Sequence, residues 1–162
     1  MTPVALRPEP LTAEAFAPFG AVIEATGPAR SINSGFTDRF HALAFADPGP
    51  EGAAILSIFR GRRRPPLLGM LERHPLASQA FVPLSPEPWL LAVAPAGLEH
   101  PTARDVRLFA ARGDQGAQYA RGVWHHPLLV LAETQDFLVV DREGQGGNLD
   151  EIALNPPALA AL

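Results

Sequence analysis

Five histidines are the residues of this chain best suited to chemistry, because the chain contains neither cysteine nor lysine. Chemistry that depends on a thiolate or on a lysine Schiff base is therefore excluded. His125 and His126 are adjacent within Val123–Leu128, and His74 follows Glu72 by two positions. Imidazole, carboxylate, hydroxyl and guanidinium groups remain, and they favour acid–base or metal chemistry on a small molecule.

Glu72 and His74 share a face if a strand runs through them, because strand residues two apart point the same way. A carboxylate and an imidazole on the inner face of a barrel are unfavourable to bury unless a metal or a polar ligand compensates them. Gln79 follows the turn at Pro75 and can return beside His74. The alternative is a hydrogen-bonded His74 at a barrel mouth, with Glu72 in solvent.

The adjacent residues His125 and His126 face opposite sides of the chain if they lie on a strand. Only one of them can then point inward. We take His125 as the inward residue and His126 as a residue of the outer face or of an interface. The alternative is a pair of structural histidines.

Arginines near polar segments are the candidates for binding a substrate carboxylate. The segment 31–41 brings amide, hydroxyl, guanidinium and imidazole groups together, and it contains Asn33 and Arg39. Arg39, or Arg60 further along the chain, could bind a carboxylate through two parallel hydrogen bonds. The run Arg62–Arg64 is short and isolated, so a solvated turn explains it better than a nucleic-acid site.

Composition and charge limit the classes of partner. A chain of 162 residues predicts one domain, residues 1–162, with a core of its own. The 13 basic residues, all arginine, and the 17 acidic residues give a net charge of -4, which offers no electrostatic basis for binding nucleic acid. No apolar run approaches the ~20 residues that cross a bilayer, and the N-terminus lacks the apolar segment of a signal peptide. We therefore expect a cytoplasmic protein with no membrane partner.

Short apolar segments separated by turn signals predict an all-β protein. One short helix is expected near the N-terminus, with Thr12 as its cap, a start at Ala13–Phe16 and an end at Pro18 and Gly20. Strand-like segments then recur at spacings of roughly ten residues, which indicates an antiparallel sandwich or barrel. The tail 155–162 is expected to lie extended on the surface. The predicted strands are Ala21–Ala25, Phe40–Phe45, Ala54–Arg60, Leu67–Arg73, Gln79–Leu84, Trp89–Ala94, Val106–Ala111, Leu128–Glu133 and Phe137–Asp141.

Several segments together resemble the ureidoglycolate lyase family of the cupin superfamily. The succession of LERHPL (Leu71–Leu76), QAF (Gln79–Phe81) and VWHHPL (Val123–Leu128) is more specific than a generic cupin pattern. The matching segments span most of the chain in the order of the family. They are Ile32–Gly35, Arg39–His41, Ser57–Arg60, Leu71–Phe81, Gln115 and Gly116 with Tyr119, Val123–Leu128, Asp136–Leu138, and Asp141 with Arg142.

The resemblance implies a cupin-like double-stranded β-helix, which is an antiparallel jelly-roll barrel, and a homodimer. Cupins bind a metal through two histidines and a glutamate of a first motif and a histidine of a second. On that pattern, Glu72 and His74 stand at the first two ligand positions. Gln79 stands where the glutamate is usual, and His125 stands at the position of the second motif. The implied ligand is a divalent metal, with nickel as the ion associated with the family, and no organic cofactor is expected.

The activity that the resemblance implies is cleavage of (S)-ureidoglycolate to glyoxylate and urea, late in allantoin and purine degradation. Two other functions stay open: an amidohydrolase that releases ammonia from the same substrate, and a small-molecule-binding cupin without catalysis. The expected catalytic residues are His74, His125 and Glu72, and the expected substrate-binding residues are Asn33, Arg39, Arg60, Gln79 and Tyr119.

Overall fold

Strands make up nearly half of the residues in the computed structural model, which describes residues 2–162. The other regular elements are helix α1, Ala13–Phe16, and a 3-10 turn at Asn33–Gly35. The strands in chain order are β1 Val4–Leu6, β2 Glu9–Pro10, β3 Gly20–Ile23, β4 Arg30–Ile32, β5 Thr37–Arg39, β6 Ala53–Arg62, β7 Leu67–Arg73, β8 Gln79–Pro83, β9 Trp89–Ala94, β10 Arg107–Ala111, β11 Gly116–Tyr119, β12 Trp124–His125, β13 Leu129–Val130, β14 Thr134–Glu143 and β15 Asp150–Ala160.

The short N-terminal helix is confirmed at its predicted position. The hydroxyl oxygen of Thr12 accepts a hydrogen bond from the backbone N–H of Ala15 at 3.1 Å, which satisfies one of the free donors of the first turn. Phe16 at the end of α1 is fully buried and packs edge-on against Phe109, with ring centroids 5.4 Å apart. The helix therefore closes one part of the core rather than standing apart from the strands.

Most predicted strands are present with small shifts at their ends, but two predictions need correction. The expected strand Phe40–Phe45 is wrong, because these residues form a turn and a loop. Ala42 has a φ of 52°, and this left-handed conformation is incompatible with a regular strand. The expected strand Leu128–Glu133 is shortened to β13, because the chain bends at residues 131–133 before β14 begins.

Two curved sheets pack against each other and form the cupin-like barrel. The larger sheet has the order β1-β15-β7-β12-β9-β10-β2 with β13 beside β9, and the smaller has the order β3-β11-β8-β14-β6. The pairing is antiparallel except for β1 with β15 and β10 with β2, which are short parallel pairs. Strands β4 and β5 form a separate two-stranded ribbon. The all-β fold with a short N-terminal helix is thus confirmed.

Strand β9 lies between two hydrophobic cores. Its residues alternate in direction, so that Trp89, Leu91 and Val93 join the core between the two sheets. Leu90, Ala92 and Ala94 join a second core on the opposite face of the larger sheet. All six residues of β9 are buried. The strand next to it, β12, carries His125 and is therefore held on a rigid support.

The C-terminal tail is a full strand of the larger sheet rather than a segment laid on the surface, which corrects the prediction for 155–162. Strand β15 pairs with β7 along one edge and with β1 along the other. Leu154, Ala158 and Ala160 are buried in the second core, which explains why this segment is held in the sheet. No helix within residues 2–162 is long and apolar enough to span a membrane.

Candidate active site

Three of the predicted site residues converge at the junction of β7 and β12. Glu72 and His125 are directly opposite each other on these antiparallel strands. His74 is the residue immediately after Arg73, the last residue of β7. One ligand-grade atom from each of the three side chains lies within 4.8 Å of the other two. We call Glu72, His74 and His125 the histidine–glutamate cluster.

Backbone carbonyls set the orientation of both imidazoles in this cluster. Nδ1 of His74 donates to the carbonyl oxygen of Asn148 at 2.8 Å, and Nδ1 of His125 donates to that of Val123 at 3.0 Å. A carbonyl oxygen only accepts, so the proton of each neutral ring sits on Nδ1. The two Nε2 lone pairs therefore point into the cluster, which is the arrangement usual for histidines that bind a metal.

The Nε2 atom of His125 is buried and has no hydrogen-bond partner among residues 2–162. It lies 3.5 Å from Oε1 of Glu72. A lone pair that faces a carboxylate is unfavourable unless a cation lies between them or a proton occupies Nε2. Burial acts to raise the pKa of Glu72, but attraction to His125 and then His74 outweighs it and holds that pKa below its usual range. Glu72 is therefore a carboxylate at neutral pH.

Gln79 and Asp141 continue the polar chain away from the cluster. Nε2 of His74 lies 3.1 Å from Oε1 of Gln79, and the amide group of Gln79 donates to Oδ2 of Asp141 at 3.4 Å. Without a proton, Nε2 of His74 also faces an acceptor oxygen. In both histidines of the cluster, an unprotonated Nε2 thus faces an acceptor oxygen, that of Gln79 or that of Glu72. A proton or a metal cation at the cluster would relieve both unfavourable contacts.

Tyr119 forms the wall behind His125. The two rings stack with centroids 4.2 Å apart and an angle of 15° between their planes. Tyr119 is buried in the core between the sheets, where it also packs against Phe81. Burial, and then the negative charge of Glu72, raise the pKa of its hydroxyl above the usual value. Tyr119 therefore stays neutral and supports His125 rather than lining the open pocket described next.

A pocket of about 280 Å³ adjoins the cluster at His74 and is also lined by Gln79, whereas Glu72 and His125 do not line it. Its volume suits a small polar molecule rather than a large cofactor. The oxygen Oδ1 of Asp141 and the Nε atom of Arg142 are buried there and have no hydrogen-bond partner among residues 2–162. The residues that line the pocket are His74, Ser78, Gln79, Asp141, Arg142, Asn148 and Leu149.

The remaining predicted residues lie away from this pocket. Asn33 and Arg39 belong to the exposed β4–β5 ribbon, where the amide of Asn33 donates to the Thr37 hydroxyl. Arg60 makes a two-point ion pair with Asp136 at 2.8 and 2.9 Å, and this pair lines a different pocket. His126 is buried outside the cluster, and its Nδ1 donates to the carbonyl of Pro127 at 2.7 Å. The structure thus places Gln79 beside the cluster. The other three predicted substrate-binding residues, Asn33, Arg39 and Arg60, do not line the pocket beside it.

Comparisons with known proteins agree on one family. The sequence profile described as ureidoglycolate lyase matches residues 3–161. A ureidoglycolate lyase from Pseudomonas syringae pv. syringae (strain B728a) is 56% identical over 147 residues, which cover 88% of this chain and 86% of that protein. The chain belongs to the ureidoglycolate lyase family. Among other members, "Ureidoglycolate lyase 1" from Rhizobium meliloti (strain 1021) is 54% identical over 147 residues, which cover 88% of this chain and 85% of that protein.

In this member of the ureidoglycolate lyase family, Asp141 and Arg142 are the charged pocket residues to which the sequence assigned no role. They occur at the end of β14, after the apolar run Phe137–Val140 and before the glycine-rich turn 144–147. Their position at the end of a buried strand was the feature of the sequence that could have identified them as site residues. Charged residues at such a position reach the rim of a barrel, where binding sites form. The family resemblance includes both residues, but it does not say which way they point.

Proposed function

We propose that this chain is a ureidoglycolate lyase, which cleaves (S)-ureidoglycolate to glyoxylate and urea. The observation that carries the proposal is the histidine–glutamate cluster beside a small polar pocket, in a chain that matches proteins of that name over most of its length. The hydroxyl O–H bond of the substrate breaks and its oxygen forms the carbonyl of glyoxylate. The carbon–nitrogen bond breaks, and the departing nitrogen takes a proton to give urea.

The cluster supplies both proton transfers of this reaction. Glu72 is ionised and accepts the hydroxyl proton. The imidazolium form of His74 or His125 gives a proton to the departing nitrogen, which would otherwise leave as a poor anion. In this imidazolium form, the Nε2–H of His74 donates to Oε1 of Gln79, which holds the ring in place. No nucleophilic residue with an adjacent base lines the pocket among residues 2–162, so the mechanism contains no covalent intermediate.

We further propose that the cluster can hold a divalent metal ion, and two observations support the fit. The Nε2 atom of His125 is buried without a partner, and both imidazoles are oriented by carbonyls through Nδ1. Glu72, His74 and His125 would hold the ion in place of the transferable protons, so the metal-bound cluster and the acid–base cluster are alternative states. Gln79 would lie beside the ion, and nickel suits this mixture of imidazole and carboxylate ligands. A bound divalent ion would act as a Lewis acid on substrate oxygens.

Product analysis tests the proposed function. Purified protein incubated with (S)-ureidoglycolate should release urea and glyoxylate in equal amounts. Release of ammonia from the ureido group would instead identify an amidohydrolase. Binding of ureidoglycolate without turnover, with or without added Ni²⁺, would identify a binding protein and refute the proposed lyase.

A homodimer is the proposed assembly, and an exposed apolar surface supports it. Strand β6 is the free edge of the smaller sheet, and Leu56 and Ile58 on one face of it are 72% and 58% exposed. Phe36 at the tip of the β4–β5 ribbon is 91% exposed, and an isolated two-stranded ribbon is marginal in water. A symmetric contact between two copies would cover such surfaces.

Light scattering at micromolar concentration tests this assembly. The wild type should give the mass of two chains, and Ile58→Glu should shift it toward one chain because a charge is unfavourable in a buried contact. Thr134→Glu, on the neighbouring strand β14, is the matched control on an exposed polar site. A monomeric wild type would refute the dimer.

The proposed location of the reaction is the cytoplasm, which cell fractionation tests.

A further inference from the structure

The guanidinium group of Arg142 is held by the backbone of two loops. One terminal nitrogen, Nη1, donates to the carbonyls of Pro48 and Pro50, the latter at 3.0 Å. The other, Nη2, donates to the carbonyl of Gln145 at 2.8 Å. These carbonyls are neutral acceptors, so they fix the position of the group without neutralising its charge.

Glycines leave the space that this guanidinium occupies. A Cβ added at Gly52 would overlap with Nη1 of Arg142 and with the carbonyl oxygen of Pro48. A Cβ at Gly144 would lie 2.8 Å from Nη2, closer than side-chain carbons normally approach. The loops on both sides of Arg142 are therefore shaped around its side chain.

The Nε–H of Arg142 is the donor that this arrangement leaves free. The atom is buried, has no hydrogen-bond partner among residues 2–162, and belongs to a side chain that lines the pocket beside His74. Within the same residues no carboxylate forms an ion pair with Arg142, and among the arginines there that lack one it alone has a buried, unpartnered guanidinium nitrogen. Asp141 also lines the pocket but makes no ion pair with this group, so a buried cationic donor is left without a partner and favours an anionic acceptor.

We propose that Arg142 binds the carboxylate of the substrate through its Nε–H. This inference rests on the proposed function, because ureidoglycolate and glyoxylate each carry one carboxylate. The group is pre-organised by the three carbonyls, so little side-chain entropy is lost when the carboxylate binds. With its carboxylate held at Arg142, the substrate occupies the pocket that His74 lines and presents its remaining groups to the cluster. Arg60, the alternative from sequence, is already neutralised by Asp136.

The test compares two substrates that differ only in this carboxylate. N-(hydroxymethyl)urea contains the same hydroxyl and ureido groups on one carbon, and its cleavage gives formaldehyde and urea. The readout is the ratio of kcat/KM for ureidoglycolate to kcat/KM for N-(hydroxymethyl)urea. Arg142→Gln should lower this ratio about 10- to 100-fold, the range expected for one charged hydrogen bond. General damage to the loops would lower both rates and leave the ratio unchanged.

Arg121→Gln is the matched control. Arg121 makes a half-exposed ion pair with Asp47 at the start of the loop that Arg142 holds, so its loss removes one positive charge nearby and none from the pocket. Its ratio should equal that of the wild type. An unchanged ratio in Arg142→Gln, or a reduced ratio in Arg60→Gln or Arg39→Gln instead, would overturn the proposal.

Glyoxylate binding separates this proposal from the proposed function. The dissociation constant of glyoxylate, measured by calorimetry, should rise at least about tenfold in Arg142→Gln and stay constant in Arg121→Gln. If the wild type binds glyoxylate through Arg142 but cleaves neither substrate, the carboxylate site stands and the lyase proposal fails. If ureidoglycolate is cleaved and the variant binds glyoxylate as the wild type does, the lyase stands and the role of Arg142 fails.

Discussion

Lowering the pH from 7 to 5 should remove about 2 kcal/mol of folding free energy through His126 alone. Burial of this imidazole, 3% exposed, lowers its pKa from 6.5 to about 4, and the charge of Arg64 acts in the same direction. The hydrogen bond from Nδ1 to the carbonyl of Pro127 only partly offsets this. The folded protein therefore keeps His126 neutral at a pH where the unfolded chain protonates it.

The sign and size of the effect follow from the two pKa values. A group whose pKa is lower in the folded state stabilises the fold fully above its unfolded pKa. That contribution is lost as the pH falls from about 6.5 to about 4. The full difference corresponds to about 3 kcal/mol at 1.36 kcal/mol per unit, and about 2 kcal/mol of it is lost by pH 5. Glu72 has a pKa below its usual range and remains largely ionised at pH 5.

Equilibrium unfolding in urea at pH 7 and pH 5, with a chelator present and at constant protein concentration, measures this loss. The control is His126→Asn, because the amide nitrogen of asparagine can replace Nδ1 as donor to Pro127 and does not titrate. The variant should be less stable than the wild type at pH 7, since it leaves space in the core. Its loss between the two pH values should be about 2 kcal/mol smaller than that of the wild type. Equal losses in the two proteins would refute a neutral, buried His126.

Three further outcomes are expected. His74→Ala should lower urea release about 100-fold or more, and His126→Ala should have a milder effect on turnover; the reverse order would place the chemistry on the wrong imidazole. Metal analysis of protein loaded with Ni²⁺ should find less metal in His125→Ala than in the wild type, and equal contents would argue against a metal at the cluster. Leu71→Ala should reduce the free energy of unfolding by about 2–5 kcal/mol in urea titrations, because Leu71 is fully buried in the second core; a loss below about 1 kcal/mol would contradict that packing.

Local pattern was enough to predict that Glu72, His74 and Gln79 come together, whereas the family resemblance implied that His125 joins them. Alternation along a strand places Glu72 and His74 on one face and separates His125 from His126, and the structure keeps His126 out of the cluster. The expectation that His126 lies on the outer face or at an interface is wrong, because its side chain is buried. The turn at Pro75 brings Gln79 back beside His74, again over a short distance in sequence. These relations span few residues, so the period of the strand and one turn determine them.

The arginine nearest to the pocket could not be predicted in the same way. Arg39 and Arg60 have polar neighbours in sequence, but Arg60 is neutralised by Asp136, which is 76 positions away. Arg142 reaches the pocket because carbonyls of Pro48 and Pro50, more than 90 positions away, hold it there. The sequence contains no local sign of such pairings. The apolar residues of Phe40–Phe45 suggested a strand, but Ala42 has a φ of 52° and the segment forms a turn and a loop.

The loop between β14 and β15 positions two functional side chains of the pocket. Asn148 accepts from Nδ1 of His74 through its carbonyl and from the backbone N–H of Leu76 through its side chain, while Gln145 accepts from Arg142. One short loop therefore orients an imidazole of the cluster and an arginine of the same pocket. Exchange of this loop for one of different length would change reactivity and substrate range together. For engineering, new selectivity has to come from single side chains on the pocket wall, with the length of the loop preserved.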